Sequence, residues 1–224
     1  MILKAQKIKK DFLRETKNSN CFTAVQETDF TLQSQTLTVL TGRSGSGKST
    51  LLNMLAGLMH PDSGKVFLDE TDLYALSDKE LSKLRNQYIG IIPQGQTALQ
   101  SFTVMQNICL PYTLYGEKAP KQEAFHLMEL LDILNLKNTM PSELSGGELR
   151  RMAIARAVIR KPQILLADEP TGDLDDENTR IVFEFLQKQA KNGTAVLVVT
   201  HETEARHYAD IFCKMQAGIL STEA

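Results

Sequence analysis

Short apolar stretches alternate along the chain with longer segments that repeat apolar residues at helical spacing. Residues 3–8, 24–32 and 36–40 have strand character, and Leu37 and Val39 in the last share one face. Lys17-Asn18-Ser19-Asn20 reads as a turn cluster between the first two strands. A helical run follows at 49–56 and is closed by Gly57. After a turn at Pro61-Asp62-Ser63-Gly64, residues 65–69 read as a strand. Ser77-Asp78-Lys79-Glu80 has capping-box spacing and opens a helix toward Arg85. Ile89-Gly90-Ile91-Ile92 is a buried strand that Pro93 stops.

From 95 to 160 the pattern turns mostly helical. Residues 123–134 place Phe125, Leu127, Met128, Leu131 and Leu134 at helical spacing, and a second helix is expected over 146–160. Strands return at 163–167 and 194–200, separated by a helix over 176–191 that Asn192-Gly193 ends. Strands alternating with helices predict a largely parallel sheet, and so an α/β fold. The pattern shows no internal repeat and no low-complexity segment.

Composition narrows the function classes. A chain of 224 residues suits one α/β domain with an inserted subdomain, and it can bury a core without staples. With 25 basic and 27 acidic residues, net charge −2, it lacks the basic excess of a dedicated nucleic-acid binder. Cys21, Cys109 and Cys213 are far apart and form no C-x-x-C, so free thiols in a reducing compartment are expected. The first ten residues hold no apolar leader segment. Ala195-Val196-Leu197-Val198-Val199 typifies the longest apolar runs, far short of the roughly 20 residues a membrane span needs. The chain is expected to be soluble and to serve a membrane only through a partner.

The sharpest chemical signal is Gly42-Arg43-Ser44-Gly45-Ser46-Gly47-Lys48-Ser49-Thr50, which fits G-x-x-x-x-G-K-[ST]. Glycines let the backbone curl so that successive N–H groups point at a phosphate. Lys48 adds a point charge for the β- and γ-phosphates, and the Ser49 hydroxyl suits Mg²⁺. The strand before and the helix after supply the context this motif requires. A second signal is Ile164-Leu165-Leu166-Ala167-Asp168-Glu169, an apolar strand delivering two acids to the ligand-binding edge of a parallel sheet. Asp168 there can hold Mg²⁺ and Glu169 can polarise a water, although two solvated acids before Pro170 would read the same way alone. Leu144-Ser145-Gly146-Gly147-Glu148 marks a helix start. Ser145 and Glu148 satisfy a capping box, but a cap needs no paired glycine, and two glycines admit close approach of an anion.

With these motifs in hand, nearly the whole chain resembles the ATP-binding cassette (ABC) ATPases. Gly42 to Thr50 matches their P-loop, Leu144 to Glu148 their LSGGQ-type signature with Glu148 where glutamine is commoner, and 164–169 their Walker B strand and catalytic glutamate. The resemblance places Gln94 at the Q-loop glutamine, as metal and catalytic contact, and His201 at the switch histidine. Asp175 falls at the D-loop aspartate, and Phe12 at an aromatic that stacks on adenine. It implies a P-loop NTPase, RecA-like α/β core with an antiparallel β portion. Residues 1–94 and 161–224 would form the core and 95–160 a helical subdomain. It implies ATP and Mg²⁺ as ligands, with Ser44, Gly45, Ser46, Gly47, Lys48, Ser49 and Thr50 around the phosphates. Two copies would form a homodimer on ATP binding, with Ser145, Gly146 and Gly147 of one facing the P-loop of the other. Energy would pass to a separate membrane permease, so the chain would sit peripherally on the inner face of the cell membrane. Glu169-Pro170-Thr171-Gly172-Asp173-Leu174-Asp175 resembles the branch serving lipoprotein release and antimicrobial-peptide export.

Two rival readings carry different expectations. A cassette acting on ribosomes or DNA would usually carry two cassettes or long insertions, which this chain lacks. A non-catalytic nucleotide-binding regulator would not need Glu169 and His201. The basic stretch Arg150, Arg151, Arg156, Arg160 and Lys161 reads mostly as a solvated helix face. Leu99, Phe102, Val104, Ile108, Leu110 and Tyr112 are too apolar for a plain loop. They are read either as a groove for a short permease helix or as the core of the helical insertion.

Overall fold

The computed structural model describes residues 1–14, 20–172 and 174–223; Asp173 and all but Asn20 of the turn read at 17–20 lie outside them. Two sheets stack with helices around them. A four-stranded antiparallel sheet has the order β2-β1-β4-β5, from β1 (Ile2–Arg14), β2 (Asn20–Gln33), β4 (Ser63–Leu68) and β5 (Thr71–Asp72). A six-stranded sheet has the order β10-β9-β3-β8-β7-β6. Its strands are β3 (Leu37–Thr41), β6 (Ile89–Ile92), β7 (Ile164–Asp168), β8 (Ala195–Thr200), β9 (Ile211–Gln216) and β10 (Ile219–Glu223). The neighbours from β9 to β6 pair in parallel and β10 returns antiparallel.

Strand alternation divides the interior into two cores. Leu37 and Val39 of β3, Leu165 and Ala167 of β7, and Val196 and Val198 of β8 face one side. There they meet α3 (Val104–Thr113), α4 (Lys121–Leu130), α5 (Gly146–Val158) and α6 (Asp176–Lys191). Leu40, Ile164, Leu166, Ala195, Leu197 and Val199 face the other side, with α1 (Lys48–Leu55), α2 (Asp78–Tyr88) and the antiparallel sheet. All six residues of β8 are buried, and each of its Val and Leu side chains contributes about 1.5–3 kcal/mol. That double burial is why 194–200 reads as a continuous apolar run.

Several expectations change. β1 runs to Arg14 instead of stopping at Ile8, because register shifts around Lys7, whose φ is 49°, carry the ladder past the broken alternation. The helix read over 123–134 ends at Leu130; Asp132 at φ 52° turns the chain, and Leu134 opens a short 3₁₀ turn. α5 ends at Val158, two residues before the expected end. The hairpin of β9 and β10 was not anticipated at all. Val104 and Ile108 are core residues, whereas Leu99 remains exposed and Leu110 and Tyr112 are half-buried.

The basic stretch is also corrected. Arg150 Nη1 donates to the Pro93 carbonyl at 2.8 Å, and Arg156 Nη1 to the Thr97 carbonyl at 2.9 Å. Arg160 pairs with Glu117 at 2.9 Å and lies 4.3 Å from the Tyr112 ring centroid. Arg151 is buried and bonds Asn178. Guanidinium groups reach loop carbonyls that a helical wheel does not contain. Of the five, only Lys161 keeps the solvated position expected for most of them.

Candidate functional site

The P-loop leaves β3 at Gly42 and enters α1 at Lys48. Two of its glycines are required sterically. A Cβ at Gly42 would lie 2.3 Å from the Met215 carbonyl oxygen. Gly47 sits at φ 107°, and a Cβ there would lie 2.1 Å from the Ala24 carbonyl oxygen. The unexpected C-terminal hairpin braces this loop, since the Gly218 amide donates to the Ser46 carbonyl at 3.0 Å. α1 has no side-chain cap and no acid in its first turn, so its leading amides and dipole are available to an anion. Lys48 Nζ folds back onto the carbonyls of Gly42 (2.7 Å) and Arg43 (3.2 Å).

The loop forms the floor of a cleft of about 480 Å³. Phe12, Phe22 and Ala24, the loop from Ser44 to Thr50, and Gln94, Glu169 and His201 line it. Phe12 and Phe22 are direct partners across the β1–β2 ladder, with ring centroids 6.2 Å apart and nearly parallel planes. Phe22 was missed from the sequence, although pairing the hairpin around Phe12 would have found it. A slightly larger cleft, about 530 Å³, lies near His126, Lys188 and Thr194 and contains none of these residues.

β7 ends at Asp168, and Glu169, the next residue, lines the P-loop cleft. Asp168 is buried, and burial pushes its carboxyl above the usual carboxylate range. The neighbouring Ser49 hydroxyl opposes this shift, as do the more distant charges of Lys48 and Arg150; the charge of Glu169 adds to it. Asp168 Oδ1 has no hydrogen-bond partner in the structure, and neither does the buried Ser46 Oγ. Folding raises the Asp168 pKa, so its ionised form costs stability at pH values above the unfolded pKa. Asp168→Asn is therefore expected to raise the nucleotide-free melting temperature at pH 7 by about 2–4 °C, the effect of roughly 1 kcal/mol in a domain this size. The gain should shrink as pH falls through the carboxyl range; a melting temperature lower than wild type at pH 7 would contradict it.

Glu169 adopts φ 48°, a left-handed conformation that costs a non-glycine residue about 1–3 kcal/mol. Three donors converge on its Oε2: Thr200 Oγ1 at 3.0 Å, His201 Nδ1 at 3.0 Å and the His201 amide at 3.3 Å. Glu169 is buried while the His201 side chain is 64 % exposed, so the histidine ring stands at the rim.

The signature residues lie elsewhere. Ser145, Gly146 and Gly147 do not line the P-loop cleft, and nor do Asp175, Gly42 and Asp168. Ser145 and Glu148 do form the capping box of α5, with Glu148 Oε2 accepting from the Ser145 amide (2.7 Å) and hydroxyl (2.8 Å). Those bonds hold the Glu148 carboxyl below its usual range. Asp175 caps α6 through the Asn178 amide at 2.8 Å, a bond that likewise lowers its pKa. A Cβ at Gly147 would stand 3.5 Å from Leu174 and 3.6 Å from Arg151, so the signature and the D-loop are neighbours within one chain. A Cβ at Gly146 would meet nothing within 4 Å. This helix start faces outward.

The ABC transporter family model matches residues 25–172. The ATP-binding protein LolD of the lipoprotein-releasing system of Buchnera aphidicola subsp. Schizaphis graminum is 39 % identical over 188 residues, covering 82 % of each chain. The LolD protein of Blochmanniella floridana is 46 % identical over 164 residues, covering 72 % of this chain and 70 % of its own. A dimeric structure of a post-hydrolysis state of the ATP-binding cassette MJ0796, bound to ADP and Pi, superposes with TM-score 0.89. It is 26 % identical and covers 98 % of both chains. Family, relatives and geometry converge, and the chain belongs to the ABC transporter family as an ATP-binding and ATP-hydrolysing cassette.

Proposed function

We propose that this cassette powers lipoprotein release from a membrane, as one of two copies docked on separate permease subunits. The observation that carries the mechanism is the split between the P-loop cleft and the outward-facing signature. A second copy can bring its Ser145, Gly146 and Gly147 to the γ-phosphate, and the dimeric cassette of the same fold supports that arrangement. The substrate class rests on the relatives, which are named for lipoprotein release. The described residues contain no helix long and apolar enough to cross a membrane, so attachment is assigned to the permease at its cytoplasmic face. We treat 1–94 and 161–224 as the catalytic core and 95–160 as a helical subdomain.

In this reading Phe12 stacks on adenine with Phe22 beside it. Ser44, Gly45, Ser46, Gly47 and Thr50 surround the phosphates, and Lys48 exchanges its carbonyl contacts for phosphate oxygens. The orphaned Asp168 Oδ1, with Ser49 alongside, fits Mg²⁺, and Gln94 at the cleft edge completes the set. Among the described residues no cluster of three or more His, Cys, Asp or Glu could hold a metal. Mg²⁺ held by one carboxylate, a hydroxyl and phosphates needs none. When bound, it would neutralise charge on the transferring phosphoryl group. Glu169 accepts the proton of the attacking water, and His201 holds Glu169 in place. Asp175 orders the D-loop that the partner copy meets.

The corrected apolar set points to a dock. Leu114 is 70 % exposed at the end of α3, and it lines a cleft of about 230 Å³ with Leu110, Pro111 and Ile91. This surface suits a short permease helix. Leu114→Glu is expected to lower ATP-dependent lipoprotein release from membranes carrying the permease about tenfold, roughly 1.4 kcal/mol of lost docking. ATP turnover of the isolated cassette should stay within about twofold of wild type, because Leu114 lies outside the P-loop cleft. Unchanged release would remove the dock. A wild-type cassette that drives no lipoprotein release with its permease would remove the substrate assignment.

A further inference from the structure

Thr200 ends β8 one residue before His201 and is wholly buried. Its hydroxyl must donate to Glu169. The Glu202 amide already donates to Thr200 Oγ1 at 3.1 Å, and a carboxylate only accepts, so the single hydroxyl proton points to Glu169 Oε2. Glu202 is braced in turn, because buried Thr171 donates to its Oε2 at 2.9 Å. Thr171 stands two residues beyond Glu169. The contacts therefore close a ring from Glu169 through Thr171, Glu202 and Thr200 back to Glu169. This ring ties the strained turn carrying Glu169 to the end of β8.

We propose that Thr200 and Glu202 are positioning residues for hydrolysis. Resting on the reading of Glu169 as the base, the ring turns Oε2 inward and leaves Oε1 to receive the proton of the attacking water. Thr171 and Glu202 hold the peptide at Pro170 so that the carboxylate keeps this orientation. A structural role alone would only satisfy buried polar groups, and it would not distinguish a carboxylate from an amide at 169.

The test is steady-state ATP turnover and thermal melting of Thr200→Val, Thr200→Ser and Glu202→Ala, in the wild-type and Glu169→Gln backgrounds. Thr200→Val is expected to lower kcat about tenfold with KM for ATP within about twofold of wild type, the signature of an interaction that serves the chemical step. Thr200→Ser keeps the donor and should restore kcat to within about threefold of wild type. Glu202→Ala lies at a half-buried position and carries the test if the valine variant folds poorly; it should lower kcat about threefold. In the Glu169→Gln background neither Thr200→Val nor Glu202→Ala should cost anything further, because groups acting as a unit are non-additive. Wild-type kcat in both variants overturns the proposal, as do equal losses in both backgrounds or a serine variant no better than valine. Near wild-type turnover of Glu169→Gln alone would instead overturn the base assignment, and this proposal with it.

Discussion

Glu169→Gln is expected to lower ATP turnover about 10²- to 10⁴-fold, the usual worth of a general base, while ATP still binds. The substitution is nearly isosteric, and the amide oxygen can keep the place of Oε2 in front of Thr200 and His201. The P-loop residues and Lys48, which line the same cleft, are left unchanged by the substitution. What disappears is the ability to take a proton from water. ATP should therefore persist between two copies, and a sizing column run with MgATP should show dimer where the wild type shows mostly monomer. Turnover near the wild-type rate would strip Glu169 of its role.

Lys48→Ala and Gly147→Asp should each abolish nearly all activity, yet their mixture should recover about a quarter of it. In the proposed site, Lys48→Ala would remove the charge that meets the phosphates. In the proposed two-copy site, Gly147→Asp would put a carboxylate where the partner's γ-phosphate approaches. A Cβ at 147 fits, with Leu174 and Arg151 at 3.5 and 3.6 Å, ordinary contact distances. The lesion is expected to be electrostatic, and melting temperatures check that both variants fold. In a mixed dimer one site carries both lesions and the other carries neither. If sites fire independently, about half the dimers are mixed and each holds one good site of two. Recovery excludes hydrolysis within one chain. Wild-type specific activity that stays constant down to concentrations where the protein is monomeric would sink the two-subunit site.

Local patterns made much of this molecule readable. The glycine spacing of 42–50, the strand before it and the helix after it depend on near neighbours, and the structure returns them within a residue or two. The capping boxes at Ser77 and Ser145 form as spaced, since each needs only residues three apart. Period-two alternation even encodes the two cores, because successive residues of β3, β7 and β8 must face opposite sides. The family resemblance added the order of the motifs, which single residues such as Gln94 and His201 could not supply.

Other features were illegible for a common reason. Phe22 beside Phe12, the β9–β10 hairpin under the P-loop and the arginines of α5 on the 93–97 loop all depend on pairings between distant segments. Arg150 and Pro93 lie 57 positions apart, and Thr200 and Glu169 lie 31 apart. A polar residue destined to bond a remote carbonyl has the same local pattern as one facing water. Helix periodicity, caps, turns and the phosphate loop are short-range consequences of backbone sterics, so the sequence alone determines them. The set of groups that converge on Glu169, and the outward aim of Ser145 to Gly147, arise from sheet order and packing. Those reside in the folded chain, where desolvation and steric fit act on residues brought together from every part of it.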